Sequence, residues 1–435
     1  MKPELGKRLL APLWLLRGAV TGLCTGGAIA LFLFMIGFVT RLRIQNPWLF
    51  LLLPGIAALT AWTYGKIGKA LDKGTTLTID AINDMIVSAV NPSLELVEKE
   101  AKNRHRVPFR LAPVVFISTI GAHLAGASAG KEGAGVQIGS AIAGGISRFE
   151  RYLVGLFTKK RHAMPSTFYT DNDTGLYLIC GAGAAFGSLF NAPIAGTLFG
   201  MQVASPRINR LEALAPCLTA SFVACWISTI LGSDYHSFIP VVDVALSFGS
   251  VIKVLIVSVG FGLFSQLFCH TTALTKKLVG KIKTWEVKAA VAATVLLVLT
   301  VIEYLIFHDT PFNGLGLDLV DKAYAESLRW WFPFGKLLFT ALTLAASLRG
   351  GEVVPLIVCG ATLGSAVAPL VALPPSMMAM CGAMATLAGA TKLPVVCFML
   401  GLEFFGSMNP ALLFLSCSVG YLTSGAKGIY EKQLR

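Results

Sequence analysis

The stretch "GASAGKEGAGVQIG", residues 126–139, sets Lys131 and Glu132 side by side among five glycines: Gly126, Gly130, Gly133, Gly135 and Gly139. The chain around it is strongly apolar. A glutamate at membrane depth is costly and marks function more often than packing. The glycines leave backbone amides exposed where a helix starts, and unpaired amides at a helix N-terminus form an anion site. A carboxylate tethered beside such a site competes with a free anion for the same amides. Protonating the carboxylate releases them, so one arrangement couples an anion to a proton. Two plainer readings stand beside it: Glu132 ends a helix near the surface, or it pairs with Lys131. Adjacent helical residues do not face each other, which disfavours the pair.

The 435 residues are 55% hydrophobic and 14% charged, where a soluble domain carries about 25% charged residues. Mean hydropathy is +0.70. These values describe a polytopic protein that lives in a lipid bilayer. Residues 1–40 begin basic and run on into a long apolar segment with no small-residue cleavage site before it. That segment is read as a retained membrane helix, not a signal peptide. Lys and Arg number 36 against 23 for Asp and Glu, an excess of 13. Much of it lies in "KPELGKR" (2–8), "KNRHRVPFR" (102–110) and "TKKRH" (158–162), read as positive-inside loops. No soluble basic domain is present to bind nucleic acid. The nine cysteines include no C-x-x-C pair, and most sit in apolar runs where a thiol behaves as a small hydrophobe. The six histidines, His105 and His162 among them, show no ligand spacing. No disulfide framework, metal or other cofactor is expected.

Thirteen apolar segments run from 10–40 to 409–423. Several fall short of the roughly 20 residues of a simple span. Pro193, Pro355 and Pro394 lie in or at the mouth of such runs. Broken helices are tolerated at membrane depth only where the freed backbone is buried or lines a cavity, and in transporters they point to the binding site. Sliding the chain by 201 residues lays "CGAGAAFGSLFNAPIAGTLFGMQ" (180–202) over "CGAMATLAGATKLPVVCFMLGLE" (381–403), with six identities in 23, Pro193 meeting Pro394 among them. A Gly-rich acidic motif precedes each copy, "GKEGAG" and "GGEVVP". This is an internal repeat, its first unit spanning about residues 10–232 and its second about 250–425. Glu352 stands either at a second helix mouth or as a solvated acid beside Arg349. Glu403, in "CFMLGLEFFG", is read as a structural acid bonded to backbone.

The segments "GKEGAGVQIG" (130–139), "GSLFNAPIAGTLFGMQ" (187–202), "GGEVVPLIVCGATLG" (350–364) and "SGAKGIYEKQ" (424–433) occur in this order across most of the chain. Together they resemble the motifs of the CLC family of chloride channels and anion/proton antiporters: G-R/K-E-G-P, F-N-A-P-L-A-G-x-L-F, G-G-x-x-x-P and a late motif ending in a pore tyrosine. "SAGKEGAGVQIG" and "GGEVVP" are closer to the fluoride-exporting branch than to the chloride form. The family's inner proton-transfer acid falls at Val203, which lacks it, as is usual in that branch. The chain departs from the branch in four places: Lys131 stands for arginine, Thr75 and Thr76 for asparagines, Val354 for threonine and Gln202 for glutamate.

The resemblance implies an all-α membrane fold of two inverted helical repeats with broken and re-entrant helices. It also implies a homodimer with an anion path in each subunit, and, with the chain stopping soon after Tyr430, no C-terminal regulatory domain. It makes Glu132 the gate and proton carrier. Gly130, Lys131, Gly133, Thr75, Thr76, Val353, Val354 and Tyr430 become the anion-binding set, and Glu352 a candidate for the pore or polar track. The expected function is proton-coupled fluoride export, in a bacterial inner membrane, with chloride conduction or chloride/proton exchange as the alternative. A remote alternative is an intramembrane serine hydrolase, since "GASAG" fits G-x-S-x-G with Ser128 as nucleophile. No partner histidine identifies itself, and the chain is not read as an enzyme.

Overall fold

Pro193 and Pro394 break the chain where the repeat aligns them. Asn191 and Lys392 take left-handed conformations, φ 52° and 63°, two residues before each proline. Such a conformation costs a non-glycine residue roughly 1–2 kcal/mol, and proline at the first helical position starts a new helix without wasting a donor. One apolar run at 175–204 thereby becomes two helices. The computed structural model describes residues 3–68, 71, 73–90, 107–158, 172–206, 211–236, 240–406, 409–430 and 432–433. His105, His162 and most of the basic runs at 102–110 and 158–162 lie outside the described residues.

The described residues form sixteen α-helices. The first eight are α1 (Pro3–Gln45), α2 (Leu53–Ile67), α3 (Thr75–Val90), α4 (Leu111–Leu124), α5 (Glu132–Thr158), α6 (Asn172–Phe190), α7 (Pro193–Gln202) and α8 (Leu214–Ile230). The second eight are α9 (Phe248–Val279), α10 (Trp285–Phe307), α11 (Leu317–Ala325), α12 (Phe332–Ala345), α13 (Val353–Val371), α14 (Pro375–Thr391), α15 (Pro394–Phe405) and α16 (Pro410–Thr423). Six spans among the described residues are long and apolar enough to cross a bilayer. Hydropathy alone misses α3 and α11. Both are short and amphipathic, and α11 places Asp318, Asp321 and Lys322 within nine residues.

Packing repeats with the helices. α1 lies on α8 as α9 lies on α16, α5 on α6 as α13 on α14, α6 on α8 as α14 on α16, and α4 on α5 as α12 on α13. The two units are inverted. α5 and α13 meet start to start, where Gly130 and Gly351 form an antiparallel bridge. This is an all-α membrane fold of two inverted repeats with broken helices.

Glycine sets the closest crossings. An added Cβ on Gly181 of α6 would overlap the backbone of Gly139 in α5, and one on Gly382 of α14 would overlap that of Gly360 in α13. Along α1, Gly18, Gly22 and Gly26 meet the backbones of Pro216, Ala220 and Ala224 in α8. Helices in lipid associate by such close packing, because apolar burial alone gives them little drive to leave the lipid tails. Gly382→Leu should therefore abolish the monodisperse peak in size-exclusion chromatography of detergent extracts, overpacking costing about 1–3 kcal/mol or more. Gly27→Leu should keep that peak, since an added Cβ there meets nothing within 4 Å.

Candidate functional site

α4 stops at Leu124 and α5 begins at Glu132, so residues 125–131 cross the interior without helix. Gly126 turns the chain with φ +82°, a conformation glycine takes without penalty. The second repeat does the same after α12, with Ser347 at φ +57°. Gly130 and Gly351 each lie two residues before their helix, α5 or α13. They bond reciprocally, Gly130 N to Gly351 O at 2.8 Å and Gly351 N to Gly130 O at 2.7 Å. Reciprocal bonds between equivalent residues are what a two-fold axis through that point produces. The same equivalence pairs Glu132 with Val353 and Lys131 with Glu352. The two acidic motifs are therefore out of register, and Glu352 is not the counterpart of Glu132.

Glu132 is 2% exposed. Its Oε1 accepts the Val353 N–H at 2.7 Å, the first turn of α13. Its Oε2 has no hydrogen-bond partner among the described residues. The carboxylate lies in the space a Cβ on Gly130 or Gly351 would fill, so the flanking glycines make its seat. Behind it, Gln137 Nε2 donates to Gly133 O at 2.9 Å, and Thr75 Oγ1 reaches the same carbonyl at 3.5 Å.

Two separate cavities are lined by residues of these two helix starts. The larger, about 370 Å³, is lined by Glu132, Thr75, Thr76, Val353, Glu352 and Tyr430, with Gly133 also on its wall. The smaller, about 20 Å³, is lined by Lys131, Val354, Tyr235 and His236. The neighbours Lys131 and Glu132 thus face different cavities, as do Val354 and Val353. Glu352 sits at the N-cap of α13 and pairs with Lys276 at 3.1 Å. Arg349 instead stacks over Tyr64, 3.8 Å from its centroid.

Tyr430 is 7% exposed, with the Phe199 ring edge-on at 6.4 Å. Its segment is tied to the break between α14 and α15. Ile429 N donates to Ala390 O at 2.9 Å, Gln433 Nε2 to Thr391 O at 3.0 Å, and Lys392 Nζ to Gly425 O at 2.7 Å. Asn83 of α3 adds a bond to Lys432 O at 2.7 Å.

Every residue singled out in the sequence for this site lies on the bridge or on one of the two cavities. Sequence reasoning missed Gln137, Lys276, Lys288 and Phe199, which also line the larger one. Only Gln137 left a signal, an amide in a Gly-rich helix five residues after Glu132. Glu403 does bond backbone: its two oxygens accept from Ile194 N at 2.9 Å and Ala195 N at 2.7 Å, the first turn of α7. Ser128 is fully buried, its Oγ 3.1 Å from Thr340 Oγ1. Its backbone N–H and its hydroxyl are taken up by Thr343 and Thr340.

The fold and these motifs have known relatives. A chloride/fluoride channel protein of Pseudomonas syringae pv. tomato is 32% identical over 423 residues, covering 97% of this chain and 86% of that protein. An H(+)/Cl(-) exchange transporter ClcA of Citrobacter koseri is 26% identical over 74% of this chain and 68% of its own length. The crystal structure of a CLC-type fluoride/proton antiporter superposes with a TM-score of 0.83 at 26% identity, covering 97% of this chain and 98% of that one. A slow cyanobacterial Cl-/H+ antiporter shares the fold, with a TM-score of 0.71 at 18% identity over 96% of each chain. The family pattern for voltage gated chloride channels matches residues 85–425. A chain with that match, with Gly130 and Gly351 joining two inverted repeats and a carboxylate seated on the amide of α13, belongs to the voltage gated chloride channel family.

Proposed function

We propose that this protein moves fluoride out across the membrane in exchange for protons, with Glu132 as both gate and proton carrier. The observation that carries this reading is the buried Glu132 carboxylate bonded to Val353 N–H on the wall of the larger cavity, with its neighbours Lys131 and Val354 on the smaller one. A carboxylate there occupies the place a free anion would take. Protonation removes the charge that holds it on the amide. Glu132 then swings away carrying its proton, and the anion takes the freed donor. Loss of the proton on the other side returns the carboxylate and expels the anion. Gly130 and Gly133 leave room for the swing, while Lys131, Thr75, Thr76, Val353, Val354 and Tyr430 contact the anion by side chain or amide. Glu352, on the wall of the larger cavity, serves the polar track along which the proton moves.

Fluoride is favoured over chloride by the similarity to the fluoride/proton antiporter, with a TM-score of 0.83 against 0.71 for the Cl-/H+ antiporter. Fluoride is small and strongly hydrated, so it needs close donors to replace its water. The hydroxyls of Thr75, Thr76 and Tyr430 on one cavity are of that kind. Chloride is the second reading, supported by the likeness to ClcA. We place the repeats at about residues 10–232 and 250–425, in keeping with the matching helix packing. We also propose a homodimer in a bacterial inner membrane, since the relatives named are bacterial and the family resemblance implies paired subunits.

Purified protein in vesicles loaded with both anions should release fluoride rapidly and take up protons as it does so. Fast chloride release with little fluoride release would transfer the assignment to chloride. Glu132→Gln keeps size and loses titration, so anion-driven proton uptake should vanish whatever the anion flux becomes. Proton uptake that persists against a gradient in this mutant would remove Glu132 as the coupling group. Tyr430→Phe deletes one donor without opening a large hole. A hydrogen bond to a charged acceptor is worth about 1.5–3 kcal/mol, so fluoride binding by titration calorimetry should weaken roughly tenfold or more, with proton coupling kept.

A further inference from the structure

One face of α12 carries three buried polar side chains, Lys336, Thr340 and Thr343, each 0% exposed. Their spacing of four and three residues puts them in one stripe. All three act on the link between α4 and α5. Thr343 Oγ1 accepts the Ser128 N–H at 3.0 Å, and Thr340 Oγ1 lies 3.1 Å from Ser128 Oγ. Lys336 Nζ donates to Phe312 O at 3.0 Å and Gly314 O at 2.8 Å. Between those two residues, Asn313 Nδ2 donates to Gly126 O at 2.8 Å. The loop is closed from the other side by Glu303, whose Oε1 accepts Phe312 N–H at 2.6 Å.

We propose that this stripe is the positioning element of the gate: by fixing Gly126 and Ser128, it sets where Glu132 finds the Val353 amide. The proposal rests on the transport reading above. The physical case is that residues 125–131 have no helix to satisfy their backbone, and water is scarce at this depth. Ser128 N–H has Thr343 as its acceptor, and four residues later comes Glu132. An apolar stripe would pack α12 equally well and would not cost the desolvation of an ammonium and two hydroxyls. Polar side chains at these positions therefore hold the link in one conformation. Glu132 must leave its amide and return to it in every cycle. A link that wanders lets it return late, and an anion then passes without a proton.

The test is the number of fluoride ions released per proton taken up, in fluoride-loaded vesicles read by fluoride and pH electrodes. Thr343→Val keeps shape and removes the acceptor. Its fluoride-to-proton ratio should rise by about fivefold, the factor one net hydrogen bond is worth. Thr343→Ser restores the hydroxyl and should restore the ratio. Thr340→Val, against Thr340→Ser, should act in the same direction. A merely structural role would lower both fluxes together and leave the ratio at the wild-type value, and that result would overturn the proposal. Serine variants that fail to rescue would do the same. Hydrogen–deuterium exchange of residues 126–131 gives a readout independent of transport. It should quicken in Thr343→Val and not in Thr343→Ser, and an unchanged rate sinks the proposal even if wild-type protein takes up no protons. Wild-type protein that releases fluoride without taking up protons refutes the coupling reading instead. Lys336→Met extends the series where it remains monodisperse, and should raise the ratio likewise.

Discussion

The two bonds between Gly130 and Gly351 hold the rest of the site in place. They join the non-helical link between α4 and α5 to the one between α12 and α13. They also point the starts of α5 and α13 at one another. A helix start carries unpaired donors and the positive end of the dipole, and two of them facing across a few ångströms make a place no cation would choose. The chain fills it with its own carboxylate. Any side chain at 130 or 351 would take the space that Glu132 Oε1 and Oε2 occupy, so the bridge can be made only of glycine. The apolar helices around it fix how far the two starts can separate, because Gly139–Gly181 and Gly360–Gly382 leave their crossings no slack.

What could be read from the sequence follows from the range of each interaction. The breaks at Asn191–Pro193 and Lys392–Pro394 are local, so proline and the repeat announced them. Glu132 stood out because the cost of a carboxylate in an apolar setting is a property of one residue. The same holds for Glu403, whose backbone bonds were expected although the helix that donates them was not. The α3 and α11 helices escaped because amphipathic helices of nine to sixteen residues leave little hydropathy signal. The role of Lys336, Thr340 and Thr343 was invisible for another reason. The partner of both threonines, Ser128, lies more than 200 positions away in the chain, Lys336 bonds the carbonyls of Phe312 and Gly314, and a stripe of threonines on a helix has many uses. Lys276 and Lys288 read as ordinary basic helix ends until the fold turns them toward the same cavity.

The inverted repeats share a frame but not a chemistry, and that difference is where function enters. Two-fold symmetry offers two equivalent helix starts at the bridge. Only one repeat has an acid at the first helical position: Glu132 has Val353 as its counterpart, and Glu352, one residue earlier, is paired with Lys276. The carboxylate can therefore sit on the α13 amide, while nothing on α13 can sit on α5 in return. A symmetric pair of glutamates at this distance would repel and raise the cost of ionising both. One acid and one bare amide leave a single carboxylate, and not a repelling pair, where the two repeats meet.

The second acid of the repeat shows what a closed version of the same interaction looks like. Glu403 belongs to α15, and the sliding of 201 residues sets it over Gln202. It also sits on a helix start, that of α7. It spends both oxygens there, at 2.9 and 2.7 Å on consecutive amides. A carboxylate bonded through both oxygens occupies both of those amide donors. Glu132 bonds through one oxygen only, and its other oxygen is buried and unmatched. A buried acceptor without a partner is expensive, so this carboxylate is held by less than Glu403 is. The two glutamates thus sit on the same kind of seat with opposite outcomes. Glu403 accepts two amides of α7, and Glu132 accepts one of α13.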